Sequence, residues 1–243
     1  MHRFFAEKEN ISSHFIILQD SDANHIRKVL RLKAGDQVEV LDGEGSLYRV
    51  RLTDLNTKSI KGEILSSKKI NTESPLKIHL GQSLIKGSGF DVILRKSVEL
   101  GVHSISPLIT DRTVAKSDGD KKIPRWKKII EESSKQCGRS SIPEISKGII
   151  RLETFCQMTK DSDLKLIFWE MEKNTGMRDI NPEARPGSAS VLIGPEGGFT
   201  DEEVETARSY GFLSLGLGPR IFRAETAPLV VLSLLQGKWG DIK

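Results

Sequence analysis

The sequence predicts an α/β protein in two parts: a small β-rich domain over residues 1–72 and a larger domain over 73–243 built on a parallel sheet. Three observations carry this expectation. Short alternating runs separated by turn signals fill the first 70 residues. Beyond residue 75, apolar β-rich runs alternate with helical patterns. The polar stretch 66–75, ending in Pro75, divides the two regions. A chain of 243 residues has room for one large domain or two small ones.

In the first region a helix is expected over 22–30, where His25, Val29 and Leu30 recur at helical spacing behind Asp20 or Ser21 as N-cap. Residues 37–41 and 47–52 alternate apolar with polar, as half-buried strands do. Between them Asp42-Gly43-Glu44-Gly45 is a hairpin turn signal. A third strand run covers 59–65, and strands at this spacing suggest a small barrel. Segment 66–75 reads as the domain linker.

In the second region a strand covers 76–84, and a helix over 90–100 stops at Gly101 as C′. A strand follows over 103–108, then a helix opened by Pro124 at N1 and running to about Gly138. Runs 164–169 and 191–193 are short and apolar, as buried parallel strands should be. Thr200-Asp201-Glu202-Glu203 is a capping box opening a helix to Tyr210, ended by Gly211. Residues 227–236 form a final apolar helix. Strands alternating with helices imply a parallel sheet with helical crossovers.

Composition narrows the class. Hydrophobic residues make up 37% and glycines number 21, which together fall in the globular range of roughly 45–50%. No apolar run approaches the roughly 18–20 residues of a membrane helix; the longest, 227–235, contains a Pro and a Ser. Met1-His2-Arg3-Phe4-Phe5 does not open an apolar signal-peptide core. Cys137 and Cys156 make no disulfide framework. A soluble, cytoplasmic protein is expected. Charge is uneven: 12 basic against 10 acidic residues over 1–72, 14 against 9 over 73–150, and 11 against 14 over 151–243. The basic excess suits a polyanionic partner, nucleic acid first; the plain alternative is a mildly basic solvated face.

Two segments carry the candidate chemistry. Ile193-Gly194-Pro195-Glu196-Gly197-Gly198-Phe199 follows a buried strand and precedes the capped helix. Ligands of open α/β sheets bind at that end of the strands, although a turn without a ligand reads the same way. The segment lacks both the dinucleotide fingerprint and the Lys-Ser/Thr of a P-loop. Asp201, Glu202 and Glu203 on the next helical turn would repel a phosphate. A phosphate-free ligand, or one with a positive centre, fits better. In the second segment, Leu215 to Ala227, another short strand runs into a Gly/Pro turn carrying Arg220, Arg223 and Glu225. Arginine's planar donors suit carbonyl, carboxylate or phosphate groups; the alternative is an Arg–Glu pair capping the last helix.

Together these segments resemble the RsmE-type SPOUT methyltransferases, which modify N3 of uracil in bacterial small-subunit ribosomal RNA. The resemblance continues in order through His2-Arg3-Phe4-Phe5, His25-Ile26-Arg27-Lys28-Val29-Leu30-Arg31, residues 96–102, and Gln136-Cys137-Gly138-Arg139 with Pro143. It covers essentially the whole chain. Phe222 and Ala224 depart from it, standing where the family carries Leu and Thr. The resemblance implies a PUA-like β-barrel over 1–72 and a SPOUT α/β domain with a C-terminal trefoil knot over 73–243. It implies S-adenosylmethionine as cofactor, held by Trp169, Glu170, Ile193, Gly194, Pro195, Glu196, Gly197, Gly198, Leu215, Leu217, Gly218, Ile221, Arg223, Glu225, Thr226 and Ala227. It also implies a homodimer, for which the 227–236 helix is a candidate contact face (the alternative is that this helix packs on its own sheet), and 16S ribosomal RNA or the small ribosomal subunit as partner.

That reaction sets demands of its own. Uracil N3 is protonated and lies on the Watson–Crick edge, reachable only in an unpaired or extruded base. The proton must leave, and negative charge spreads onto the flanking carbonyls. Glu196 and Glu225 are the candidate bases; Arg139, Arg220 and Arg223 are the candidate anion stabilisers. Candidate RNA contacts are Arg3, Arg27, Lys28, Arg31, Lys86, Arg112 and Arg139. Phe4 and Phe5 either stack on a base or fill the barrel. No metal spacing occurs, and none is needed. The competing reading is a non-catalytic RNA-binding protein, which has no need of two Gly-rich turns at strand ends. A nucleotide-dependent enzyme is disfavoured by the missing P-loop and the acidic helix start.

Overall fold

The computed structural model describes residues 1–114, 121–181 and 183–243. The chain forms two compact units, Met1–Glu73 with Ser134–Ile142, and Ser74–Ser133 with Pro143–Lys243.

The first unit holds β1 (Arg3–Phe5), β2 (Phe15–Gln19), α1 (Asp20–Asn24), β3 (Gln37–Leu41), β4 (Ser46–Leu55) and β5 (Ser59–Lys69). They build a five-stranded sheet in the order β1-β3-β4-β5-β2, antiparallel except where β1 runs parallel to β3. The β3–β4 hairpin forms where expected. Gly43 and Gly45 take φ of 74° and 90°, the left-handed region open to glycine at little cost. The Asp42 carboxylate accepts the amides of Glu44 and Ser46, each at 2.8 Å, and closes the turn. Phe4 and Phe5 are both buried, on opposite faces of β1. Phe4 joins the main cluster with Val38, Val50 and Ile60, and Phe5 a smaller one with Leu41 and Leu47. Neither is open to a stacking base.

Three expectations for this region change. The helix begins at Asp20 behind Gln19, without a side-chain cap, and continues as a π-helical turn over His25–Val29. Leu30 N donates to His25 O at 2.9 Å, five residues back. Such a wide turn leaves no mark in a 3.6-residue period. Residues 66–69 are strand, not linker, pairing with 46–49 of β4; their polarity reflects an exposed strand end. Residues 134–142, assigned from the sequence to the second domain, group with the first unit. Lys135 binds the Asp22 carboxylate at 2.9 Å. Glu73 accepts the Arg139 guanidinium and the amides of Ser140 and Ser141, the amides at 3.1 Å each.

The second unit is a parallel sheet. Its elements are β6 (Lys77–Ser83), α2 (Gly89–Glu99), β7 (Ser104–Ile109), α3 (Ile123–Cys137, whose last turn groups with the first unit), β8 (Glu144–Ile145), β9 (Ile150–Arg151) and α4 (Leu152–Met158). They continue with β10 (Leu164–Phe168), β11 (Ser188–Ile193), α5 (Asp201–Ser209), β12 (Leu213–Leu215) and α6 (Ala227–Trp239). Seven strands pair in the order β12-β10-β11-β6-β7-β8, with β9 also on β7. Every pairing is parallel. One face packs Phe90 and Leu94 of α2, Trp126 and Ile130 of α3, and Leu232 and Leu235 of α6 into a single cluster. The other packs Phe155 of α4 and Val204 and Ala207 of α5. Cys156 belongs to this second cluster, where burial pushes its thiol up to about 12; it fills space there. The capping box at Thr200 and Glu203 forms as predicted. Gly101, Gly138 and Gly211 take positive φ just beyond their helices. Among the described residues, no helix is long and apolar enough to cross a membrane.

Candidate active site

The carboxyl ends of β10, β11 and β12 release three loops that line one cavity of about 500 Å³. Ligands of parallel sheets bind at this end because successive loops converge there. The first loop leaves β10 at Trp169, whose amide donates to Leu215 O at 3.0 Å. It is pinned to the β12 loop where Gly216 N donates to Thr175 O at 2.8 Å. A β-carbon on Gly216 would run into the Glu172 carbonyl, so this close passage requires glycine. The second loop, 194–199, is anchored below by Phe199, 1% exposed. Gly198, at φ +70°, donates to Pro195 O at 3.0 Å. The third loop carries Leu217, Gly218, Arg220, Phe222, Arg223 and Glu225 along the cavity wall.

The lining is mixed in character. Phe168, Ile193, Leu217 and Phe222 supply apolar wall, Glu170, Glu172, Glu196 and Glu225 supply carboxylates, and Lys173, Arg220 and Arg223 supply cations. Hydrogen bonds from the Asn174 amide and then Thr175, with Arg208 nearby, outweigh burial and hold Glu172 below the usual carboxylate range. Glu196 accepts the Lys86 amide at 2.8 Å. Trp169 Nε1 is buried without a hydrogen-bond partner, and the residue packs against the second sheet-face cluster. Among the described residues, neither Arg223 nor Glu225 forms an ion pair, so the Arg–Glu helix cap weighed from the sequence is not made.

Most of the sequence candidates converge here. Trp169, Glu170, Ile193, Gly194, Pro195, Glu196, Gly197, Gly198, Leu217, Gly218, Arg220, Ile221, Arg223, Glu225 and Ala227 all line the cavity. Leu215 does not: it is 1% exposed within the sheet core. Thr226 sits at the N-cap of α6. Arg139 belongs to the first unit, 7% exposed, with its guanidinium on Glu73. Arg3 is paired with Glu39 at 2.8 Å. Lys28, Arg31 and Lys86 are exposed and Arg27 is half-buried. Arg112 donates to the carbonyls of Gly197 and Phe199 at 2.9 and 3.2 Å. Sequence reasoning missed Phe168, Glu172, Lys173, Gly216, Phe222 and Ala224. The signal for Gly216 is its place in the same Gly-rich turn. Glu172 and Lys173 lie in irregular chain that carries no pattern. Among the described residues, no group of three or more His, Cys, Asp or Glu side chains is arranged to hold a metal ion.

Comparison with known proteins agrees with this geometry. Residues 72–236 match the family model of an RNA methyltransferase domain, and residues 18–65 that of an RNA methyltransferase PUA domain. The chain is 34% identical to ribosomal RNA small subunit methyltransferase E of Buchnera aphidicola subsp. Acyrthosiphon pisum, across 99% of this chain and 95% of that protein. It is 29% identical to the protein of the same name from Bacillus subtilis, across 97% and 96%. A ribosomal RNA small subunit methyltransferase E from Neisseria gonorrhoeae, crystallised with S-adenosylmethionine, superposes with a TM-score of 0.90 at 34% identity over the full length of both chains. A methyltransferase from Legionella pneumophila bound to the same cofactor superposes equally well at 36% identity, covering 99% and 98%.

Proposed function

Because this chain belongs to the ribosomal RNA small subunit methyltransferase E family, we propose that it transfers a methyl group from S-adenosylmethionine to N3 of a uridine in 16S ribosomal RNA. It is an RNA methyltransferase with a PUA domain. The observation that carries the finer reading is the convergence of three strand-end loops on one cavity that joins apolar wall, carboxylates and glycine backbone. That lining suits a ligand with apolar parts and a cationic centre. Glu170, beside Gly198, and the Gly194–Gly198 backbone would hold it. When bound, S-adenosylmethionine supplies an electrophilic methyl group on a positive sulfur.

The chain's own residues must present the base and manage its proton. Glu196 is tied to Lys86 N through Oε1, which orients the carboxylate and leaves its other oxygen available to accept the N3 proton. Glu225 is the second candidate. Arg223 and Arg220 line the same cavity and are placed to stabilise negative charge spreading onto the uracil carbonyls. Holding the base in register with the donor supplies much of the rate through positioning. The basic turn of the first unit, with Arg27, Lys28 and Arg31, binds the RNA backbone in this reading.

We take the first unit to close as a small PUA-like barrel and the C-terminal loops to form a trefoil knot. The active form is a homodimer in the cytoplasm. Its contact face would include α6, which packs Leu232 and Leu235 into its own sheet and leaves Leu234 exposed. Calorimetric titration with S-adenosylmethionine tests cofactor binding. Incubation with unmodified small subunits, followed by nucleoside mass spectrometry for 3-methyluridine, tests the product. A pure RNA binder would take up RNA and fail both.

A further inference from the structure

We infer that Arg112 is a positioning residue that holds the glycine loop of the cofactor site in its binding conformation, rather than a contact to RNA. The inference rests on the reading of the 194–199 loop as the methyl-donor site. From the sequence Arg112 is a candidate RNA contact, because an arginine in a basic region looks like a phosphate ligand. Its guanidinium is instead already engaged. Nη1 donates to Gly197 O at 2.9 Å and to Phe199 O at 3.2 Å, the two carbonyls that bracket Gly198. The arginine stem lies against the same loop: a β-carbon on Gly197 would stand 3.2 Å from Arg112 Cβ and 3.5 Å from Cδ. Gly197 thus gives the arginine room to lie flat on the loop.

The turn that carries Arg112 is itself braced, so the clamp has a fixed base. Thr110 N donates to Thr113 Oγ1 at 2.9 Å, and Thr113 N to Thr110 O at 3.0 Å, closing the turn. Asp111 N donates to Glu203 Oε1 at 2.9 Å. The other oxygen of Glu203 accepts Thr200 N at 2.9 Å in the capping box of α5. One carboxylate therefore fixes both the end of the glycine loop and the turn from which Arg112 reaches over it. Gly198 takes a φ of +70°, and glycine is the residue with most conformational freedom to lose on ordering. A loop with adjacent glycines needs external bonds to hold one conformation, and preorganising a loop raises affinity without any new bond to the ligand.

The experiment compares wild type, Arg112→Ala and Arg112→Lys. Hydrogen exchange over 194–199 without cofactor reads the clamp directly. Calorimetry with S-adenosylmethionine reads its consequence. RNA affinity across a salt series reads the competing role. Arg112→Ala should speed exchange in the loop and weaken cofactor binding about ten-fold, the low end for a charged hydrogen bond because this one is open to water. RNA affinity and its salt slope should stay at wild-type values. Arg112→Lys should recover part of the affinity, since both carbonyls are met by the one Nη1 group, whose coplanar hydrogens have fixed directions that a rotating ammonium lacks. Unchanged loop exchange, or unchanged cofactor affinity beside a shallower RNA salt slope, would overturn the inference in favour of a phosphate contact. Altered loop exchange in a protein whose wild type does not bind S-adenosylmethionine would keep the clamp and remove the cofactor reading instead.

Discussion

At Gly198 the backbone φ is +70° and the Glu170 carboxylate occupies the space a β-carbon would take. A side chain here meets both a conformational penalty and a collision. Gly198→Val should abolish measurable S-adenosylmethionine binding by calorimetry while the circular dichroism spectrum stays native. Wild-type affinity in that variant would remove the loop from the cofactor site. Arg223 poses a different question, because it lines the cavity with no ion-pair partner among the described residues. A structural arginine would be paired; one held ready for a substrate need not be. Arg223→Ala should lower the single-turnover methylation rate on the order of 10²–10³-fold at saturating cofactor, with a much smaller loss of cofactor affinity and a melting temperature near wild type. Arg223→Lys should restore only part of the rate. A near-normal rate constant in the alanine variant would exclude a role in stabilising charge.

Elements differ in how far local pattern determines them. The parallel strands β10 and β11, the capping box of α5 and the glycine stops after α2, α3 and α5 are legible because each depends on a few adjacent residues. So are the two glycine turns of the cavity, because a strand end followed by glycines is itself the local signature of a site. The strands β1 and β2 are not legible: β1 is three residues long, and Phe15 and Ile17 of β2 are apolar yet exposed, so their alternation is masked. The π-helical turn looks like an ordinary helix in the sequence. It aims Lys28 and Arg31 to solvent, with Arg31 at φ +54°, a conformation uncommon for a non-glycine residue. Uncommon geometry and exposed charge together suit a nucleic-acid contact. Replacing Arg27, Lys28 and Arg31 with Ala should weaken RNA binding. It should also reduce the slope of log K against log salt by roughly 0.7 for each single-strand phosphate that is no longer neutralised. Cofactor affinity should not move. An unchanged slope would take this turn out of the RNA site.

At the scale of the whole chain, the first unit is discontinuous, and no local pattern announces it. Glu73 and Arg139 stand 66 residues apart, and residue type alone makes Arg139 a candidate for RNA contact and catalysis. The fold gives it another task. Glu73 receives Arg139 through Nε at 3.0 Å and through Nη2, and the Ser140 and Ser141 amides at 3.1 Å each. The carboxylate is thus the node that ties residues 139–141 to the sheet-bearing part of its unit. Burial alone would raise its pKa; the Arg139 hydrogen bond and charge, with the Ser141 bonds, outweigh that and hold it below the usual carboxylate range. A group whose folded pKa is depressed contributes stability that is fully present above its unfolded value, about 4.3 for Glu, and is lost as pH falls through the lower folded value. Denaturant unfolding of the first unit, followed by hydrogen exchange in residues 37–69, should therefore show stability falling on acidification from about pH 5 towards pH 3. Arg139→Ala leaves the carboxylate partly buried without its cation and should cost about 3 kcal/mol at pH 7. Glu73→Gln removes the titrating group, so its stability should follow pH less steeply over the same range. If Glu73→Gln keeps the full wild-type acid dependence, another carboxylate governs the acid limb. If Arg139→Ala is as stable as wild type yet fails in methylation, the arginine serves the reaction after all, and its bond to Glu73 is a resting place that the RNA complex must break.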